Sequence, residues 1–329
     1  MQRIRSERGA TAVMVALLMI PLLGFAAITV DVGAMYAEKS QLQNGADAAA
    51  LAIAQDCAMG EECTGSTALS TANEFAVDNV DHLYANDNSA EAEARLGTGS
   101  VKIDVFTLNA DKERRLDHFF APVLELISPG EFDSSEVNAS ATAVWGNPSK
   151  GPVIFPLTFS RCAFEAFGLD TTNVHTLVAR DNSAGADDCP LNNKDVPGGF
   201  GWLDPTDDCS SIIIDIATNA ESDPGKSVPS GCKDQVDELK GTTAFFPIFE
   251  DVYGQGNNAT YDITGFAAFK ITGWNFPSLD SRDSTAVEPC GNNINCVQGY
   301  FVRFVEFDEG FETSPDAEDF GAYVVALTE

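Results

Sequence analysis

Eight cysteines, Cys57, Cys63, Cys162, Cys189, Cys209, Cys232, Cys290 and Cys296, are the residues whose chemistry is most specific in this chain. Thiolates bind zinc, act as nucleophiles or cross-link. No Cys-x-x-Cys pair occurs, and His82, His118 and His175 fit no ligand spacing, so the usual tetrahedral zinc patterns are not met. An even number of cysteines suits disulfides in an oxidising space. Many pairings are formally open. Local pairing, 57–63, 162–189, 209–232 and 290–296, is the simplest scheme, since the intervening loops are rich in Gly, Asn and Asp. Closing loops of such lengths stabilises by ~2–4 kcal/mol each in the chain-entropy account.

Other chemistry is thin. Serine nucleophile elbows, phosphate-cradling Gly-rich loops and His-Glu-x-x-His are absent. Gly198-Gly-Phe-Gly201-Trp202 precedes no helix and reads as a turn with a packed Trp. Asp181, Asp187 and Asp188, and Asp204, Asp207 and Asp208, form acidic clusters that could offer oxygens to calcium. They miss the EF-hand spacing, and solvated loop tips explain them equally well. Trp202, Trp274 and Phe276 could form an aromatic binding face or simply fill a core. No catalytic, cofactor-binding or metal-binding residue is nominated, and a non-enzymatic protein is expected.

The element that positions everything else is the start of the chain. Ala10 to Val30 carries no charge and is mostly aliphatic, behind Arg3, Arg5 and Arg8. As a helix rising ~1.5 Å per residue it spans ~31 Å, the thickness of a bilayer core. Backbone polar groups at that depth are satisfied only within a helix. Pro21 falls mid-span, where it removes a donor. Asp31 closes the run, because a carboxylate deep in lipid costs ~2.5–3.5 kcal/mol. A cleaved signal peptide is the rival, with Val32-Gly-Ala34 as its best site, but an h-region of ~7–15 residues is shorter than this run.

The helical signal continues past the span. Val32, Met35, Lys39, Leu42, Ala46, Ala49 and Ile53 recur at steps of three and four, while Glu38, Gln41, Gln43, Asn44 and Asp47 occupy the other faces. Alanines from 46 to 54 favour helix and allow close approach of another backbone. The seam could serve the chain's own globular part or other subunits; both stay open here.

Arg8-Gly9-Ala-Thr-Ala-Val, then Pro21-Leu-Leu-Gly-Phe-Ala-Ala-Ile-Thr-Val-Asp31-Val-Gly, then Leu42-Gln-Asn-Gly-Ala-Asp47-Ala-Ala-Ala-Leu-Ala resemble the N-terminal signature of the Tad family. This is the TadE/TadG-like group associated with assembly of Flp pili in bacteria. The resemblance covers about the first 55 residues. It implies a membrane-anchored extracytoplasmic protein with pilus-related work, contacting other pilus-assembly or pilin subunits through the N-terminal helix. Some larger relatives carry a metal-dependent adhesion motif, Asp-x-Ser-x-Ser. The nearest match here, Asp215-Ile-Ala-Thr-Asn219, lacks both serines, so that mechanism is not expected.

Charge agrees with an outward-facing chain. There are 50 Asp plus Glu against 19 Lys plus Arg, a net charge of −31. Such a chain is repelled by nucleic acid, which is excluded as a partner. The arginines before the span orient the N-terminus to the cytoplasm and the body outside, in the inner membrane.

Beyond the stalk the chain reads as two parts. Residues 57–147 should form a small α+β unit: a helix through Ala68, Leu69, Ala72, Phe75 and Ala76, a polar stretch over 87–98, and a strand at Val101–Val105. Leu116 to Ile127 suggests a second helix, and Val137 to Trp145 alternates as an amphipathic strand. Gly146-Asn-Pro-Ser-Lys-Gly-Pro152 is the boundary. Residues 153–329 then read as a disulfide-clipped, mainly-β domain, with strand candidates at 153–159, 174–179, 212–216, 245–249, 261–272, 300–307 and 323–327. The expected fold class is α+β: a basic leader (1–9), a transmembrane helix (10–30), a helical stalk (31–56), the small unit, and the β-rich domain.

Two further roles are kept beside that of an anchored assembly protein. One is a surface adhesin with the β-rich domain as its head. The other is a minor pilin, because Gly9-Ala10 resembles a prepilin cleavage site. Such subunits typically carry glutamate at the fifth residue after the glycine, and here that residue is Met14.

Overall fold

The computed structural model describes residues 8–80, 90–120, 134–179, 189–191, 194–196, 199–205, 212–223, 227–229, 231–254, 259–307 and 310–328. The chain divides into two compact units. One comprises Met1–Asp56, Glu62–Val144 and Leu327–Glu329; the other comprises Cys57–Glu61 and Trp145–Ala326.

In the first unit, helix α1 runs from Arg8 to Met59 without ending at Pro21. At ~1.5 Å per residue its 52 residues extend about 78 Å. Helix α2 (Gly65–Asp78) is opened by a capping box. Thr64 Oγ1 accepts the Thr67 N–H at 3.3 Å, and Thr67 Oγ1 accepts the Thr64 N–H at 3.0 Å, so a threonine does the work usual for Glu or Gln. Its buried stripe is Ala68, Ala72 and Ala76, four residues apart as the sequence spacing predicts.

Strands β1 (Ala90–Gly97) and β2 (Ser100–Thr107) form an antiparallel hairpin that turns at Gly99, whose φ of 67° favours glycine. The stretch expected to be polar and irregular is therefore largely a strand. Its inward positions, Ala90 and Ala92, are too small to register as a hydrophobic alternation, and Glu91, Glu93 and Arg95 dominate its composition. Two-residue strands β3 (Leu116–Asp117) and β4 (Ser134–Ser135) pair antiparallel, so Leu116 does not begin the helix expected there. The rest of that expectation, from residue 121 on, lies outside the described residues. Strand β5 (Asn138–Gly146) pairs β2, setting Ala139, Ala141 and Ala143 opposite Val105, Ile103 and Val101. All six are buried, as the alternation of β5 predicts.

In the second unit, β6 (Pro148–Val153) and β7 (Leu157–Ser160) precede helix α3 (Arg161–Phe167). Short strands follow: β8 (His175–Val178), β9 (Cys189–Leu191), β10 (Lys194–Val196), β11 (Phe200–Trp202), β12 (Ile212–Asp215) and β13 (Ala220–Glu221). A 3-10 helix, Lys233–Leu239, leads into the long strands β14 (Thr243–Tyr253) and β15 (Thr260–Phe276). The chain closes with β16 (Leu279–Ser281), β17 (Cys296–Val302), β18 (Phe304–Glu306), β19 (Glu312–Thr313) and β20 (Ala322–Leu327).

The main sheet has the order β11-β7-β14-β15-β17-β8, and its β7–β14 pair is parallel. Its centre is buried on both faces. Phe246, Ile248, Ala267 and Phe269 enter one hydrophobic cluster, shared with α3 and the 3-10 helix. Phe245, Phe249, Phe266 and Ala268 enter another, shared with Val153 of β6 and Ile214 of β12. A strand covered on both sides needs apolar residues at consecutive positions, which is why Phe245 to Phe249 reads as an unbroken apolar run. Phe159 sits at the heart of the first cluster, with ring centroids 4.6 Å from Phe269 and 5.5 Å from both Phe246 and Phe301. Trp202, Trp274 and Phe276 are all buried here, so they build core rather than a binding face.

Candidate functional site

α1 changes character along its length. Every apolar side chain from Val13 to Met19 is exposed, and so are Leu22, Leu23, Phe25, Ile28 and Val30. A window of this helix reaches a mean hydropathy of 2.6 with none of it buried in the fold. Large exposed aliphatic side chains all around a helix are the signature of one that meets lipid or other helices rather than water. Among the described residues it is the one helix long and apolar enough to cross a membrane. Gly9 and Ala10 lie in its first turn.

At Asp31 the environment inverts. Asp31 is only 5 % exposed. Its Oδ1 accepts the backbone N–H groups of Phe119 at 3.0 Å and Phe120 at 3.1 Å, and Oδ2 also lies 3.2 Å from the Phe120 nitrogen. Seven residues on, Glu38 is buried too, and its Oε1 accepts the Thr107 hydroxyl at 2.7 Å. From Leu42 the inward face becomes apolar: Leu42, Ala46, Ala49, Ala50, Ile53 and Ala54 are all buried. Gln43 Nε2 donates to Asp47 Oδ1 at 2.8 Å and to Ser140 O at 3.0 Å. At Gly45 the helix passes close to α2, where an added Cβ would lie 3.1 Å from Phe75 O and 3.6 Å from Ala76 Cα.

The distal half of the seam thus packs within the chain's own first unit. Its proximal half differs from the heptad reading, since Val32 and Lys39 are exposed while Asp31 and Glu38 face inward. Sequence periodicity missed this pair because acidic residues on a helix are ordinarily assigned to solvent. The available signal was their seven-residue spacing in line with Leu42 and Ala49.

Residues 9–56 match the Tad family. The family is described as Flp pilus-assembly TadE/G-like, and the matched Tad segment is α1 from its first turn to within three residues of its end. Exposed apolar run, buried carboxylates and alanine seam all lie inside it. No curated protein and no solved structure matches the chain.

The cysteines with described side chains are cross-linked. Cys290 and Cys296 form a disulfide, and Cys57, Cys63, Cys162 and Cys232 are disulfide-bonded as well. Cys209 and the side chain of Cys189 lie outside the described residues, as do Asp181, Asp187, Asp188, Asp207 and Asp208 of the acidic clusters. Among the described residues no group of three or more His, Cys, Asp or Glu side chains is placed to hold a metal. His175 stacks on Phe167 with centroids 4.3 Å apart, between Asp170 at 3.8 Å and Glu288 at 3.9 Å. The Asp215 carboxylate serves its own turn, accepting the Ala217 N–H at 2.9 Å.

The Cys290–Cys296 loop is braced by side chains. Asn275 Nδ2 donates to Gly291 O at 3.1 Å and Ile294 O at 2.8 Å, and Arg282 donates to Cys290 O at 3.2 Å. Arg282 also grips the Asp280 carboxylate with two nitrogens, which holds that acid below its usual pKa.

Proposed function

We propose that this protein is a non-enzymatic, single-pass membrane protein of Flp-pilus assembly, with its N-terminus in the cytoplasm and its disulfide-clipped body outside. The observation that carries the reading is the coincidence of the Tad match at residues 9–56 with a helix whose first half is apolar and exposed. Orientation follows from the arginine bias, with Arg3, Arg5 and Arg8 before the span. An acidic body, in a chain with 50 Asp plus Glu of which only Glu7 precedes the span, and a set of disulfides suit the extracytoplasmic side. Pilus-assembly or pilin subunits are the intended partners, met within the membrane through α1. Beside the Cys290–Cys296 disulfide, local pairing of 57–63, 162–189 and 209–232 completes the scheme.

Protease added to wall-stripped cells should digest the body and leave a membrane-embedded fragment. Deleting the gene should abolish or reduce pili while leaving membrane integrity intact. A protected body, or normal pili in the deletion strain, refutes the proposal.

A second reading, incorporation into the filament, draws on Gly9 opening the matched segment. Met14 weighs against it. A glutamate there would neutralise a neighbour's new N-terminal amine, and an unpaired buried charge is costly. Intact mass of the native protein separates the two. Retention of Met1–Gly9 supports the anchored form; a mature N-terminus at Ala10 in sheared pili supports the filament form.

A further inference from the structure

We infer that Phe119 and Phe120 form a second, monotopic contact with the bilayer, seating the first unit on the outward face of the membrane that its anchor spans. This rests on the membrane-anchor reading of α1. Ala12 to Val30 rises about 28 Å at ~1.5 Å per residue, so the hydrocarbon boundary falls at Asp31. That is the level at which the Asp31 carboxylate holds the Phe119 and Phe120 backbones, through N–H···O contacts of 3.0 to 3.2 Å. The two phenylalanines are therefore tied to the helix where the lipid ends.

Both rings project outward, 59 % exposed for Phe119 and 47 % for Phe120. Phe25, Ile28, Val30 and Val32, on the stretch of α1 that flanks Asp31, are exposed as well. Two adjacent exposed phenylalanines in water would be a liability. At the interface, aromatic side chains bury ~5–10 Å into the headgroup–acyl boundary. The arrangement also explains the carboxylate. An aspartate at that depth would be expensive if bare, whereas Asp31 is buried and accepts two backbone donors that would themselves need partners near lipid. The occupant this selects is the bilayer that α1 enters, because Asp31 holds both residues at the point where the exposed apolar run of α1 ends.

The test uses full-length protein in phosphatidylcholine vesicles whose acyl chains carry bromine, a quencher of tryptophan, either near the glycerol or near the chain ends. Phe25→Trp, Phe119→Trp and Phe120→Trp are each compared with wild type to subtract native tryptophan emission. F25W should be quenched, which reports the span. F119W and F120W should lose emission to shallow bromines and much less to deep ones, and adding Asp31→Ala should reduce that loss. Quenching of F25W without quenching at positions 119 and 120 overturns the inference and leaves the anchor standing. Emission at 119 that ignores bromine but changes on dilution overturns it in favour of a second copy on this patch. An unquenched F25W removes the anchor and the inference together.

Discussion

Glu38 on α1 and Thr107 at the end of β2 are 69 residues apart in sequence, yet the threonine hydroxyl donates to the glutamate Oε1 at 2.7 Å in a buried setting. A buried hydrogen bond contributes about 0.5–1.5 kcal/mol net, and removing one of its partners costs about 1–3 kcal/mol. Thr107→Val keeps the shape and deletes the donor. It should lower stability by about 1–3 kcal/mol, with Glu38→Gln milder because the amide oxygen still accepts. Urea denaturation in detergent micelles, followed by far-UV circular dichroism, measures both.

Gly45 marks the close approach of α1 and α2. A methyl there meets Phe75 O at 3.1 Å and Asn79 Cβ at 3.4 Å. Gly45→Ala gains about 1 kcal/mol of helix propensity against that tight contact and should be near neutral. Gly45→Leu has no room and should cost about 1–3 kcal/mol through forced separation of the helices. A Leu variant as stable as wild type would show that the crossing is loose.

Tyr323 supplies a pH dependence at the alkaline end. Burial, and then its hydrogen bond to Asp319 Oδ2 at 2.7 Å, push its pKa from 10.0 to about 12, although Arg303 lies 3.3 Å from the hydroxyl and opposes the shift. A folded-state value above the unfolded one means that the contribution is complete below pH 10 and is lost as pH rises towards 12. Absorbance titration should therefore show one tyrosine ionising late, and Tyr323→Phe should remove that late step. Ionisation of all six tyrosines together near pH 10 would contradict the assignment.

The Cys290–Cys296 disulfide closes a short loop, with a sequence separation of six. A loop of that size is worth about 2 kcal/mol in the chain-entropy account. The double variant Cys290→Ala, Cys296→Ala should lose about that much and still fold, because Asn275 and Arg282 hold the same segment by hydrogen bonds. Adding Asn275→Ala to the double variant should cost more than the two changes measured separately, since both act on one loop. Thermal unfolding under non-reducing conditions reads the difference.

The membrane-length helix, the Tad signature, the α2 stripe and the alternation of β5 were all legible in the sequence. Each is a local, periodic or contiguous pattern, and the physics that enforces it acts between near neighbours: a 3.6-residue turn, a two-residue pleat, an uncharged run as long as a bilayer is thick. The long strands β14 and β15 were visible for the same reason, though β15 extends past its predicted end to Phe276. Strand β1 was hidden, because alanine facing inward satisfies packing without raising hydrophobicity. The fate of Trp202, Trp274 and Phe276 was open, since an aromatic residue reads alike whether it faces solvent or a second layer.

Only the tertiary structure decided where the carboxylates of α1 go. By composition Asp31 and Glu38 belong to solvent, and their seven-residue spacing in line with Leu42 and Ala49 names no partner for them. What buries them are donors supplied from far along the chain, the Phe119 and Phe120 amides and the Thr107 hydroxyl. Whether a polar group can be buried depends on the partner brought to it rather than on its own identity. The chain's start thus determined that there is an apolar helix and how long it is, while the fold determined which of its faces is inside.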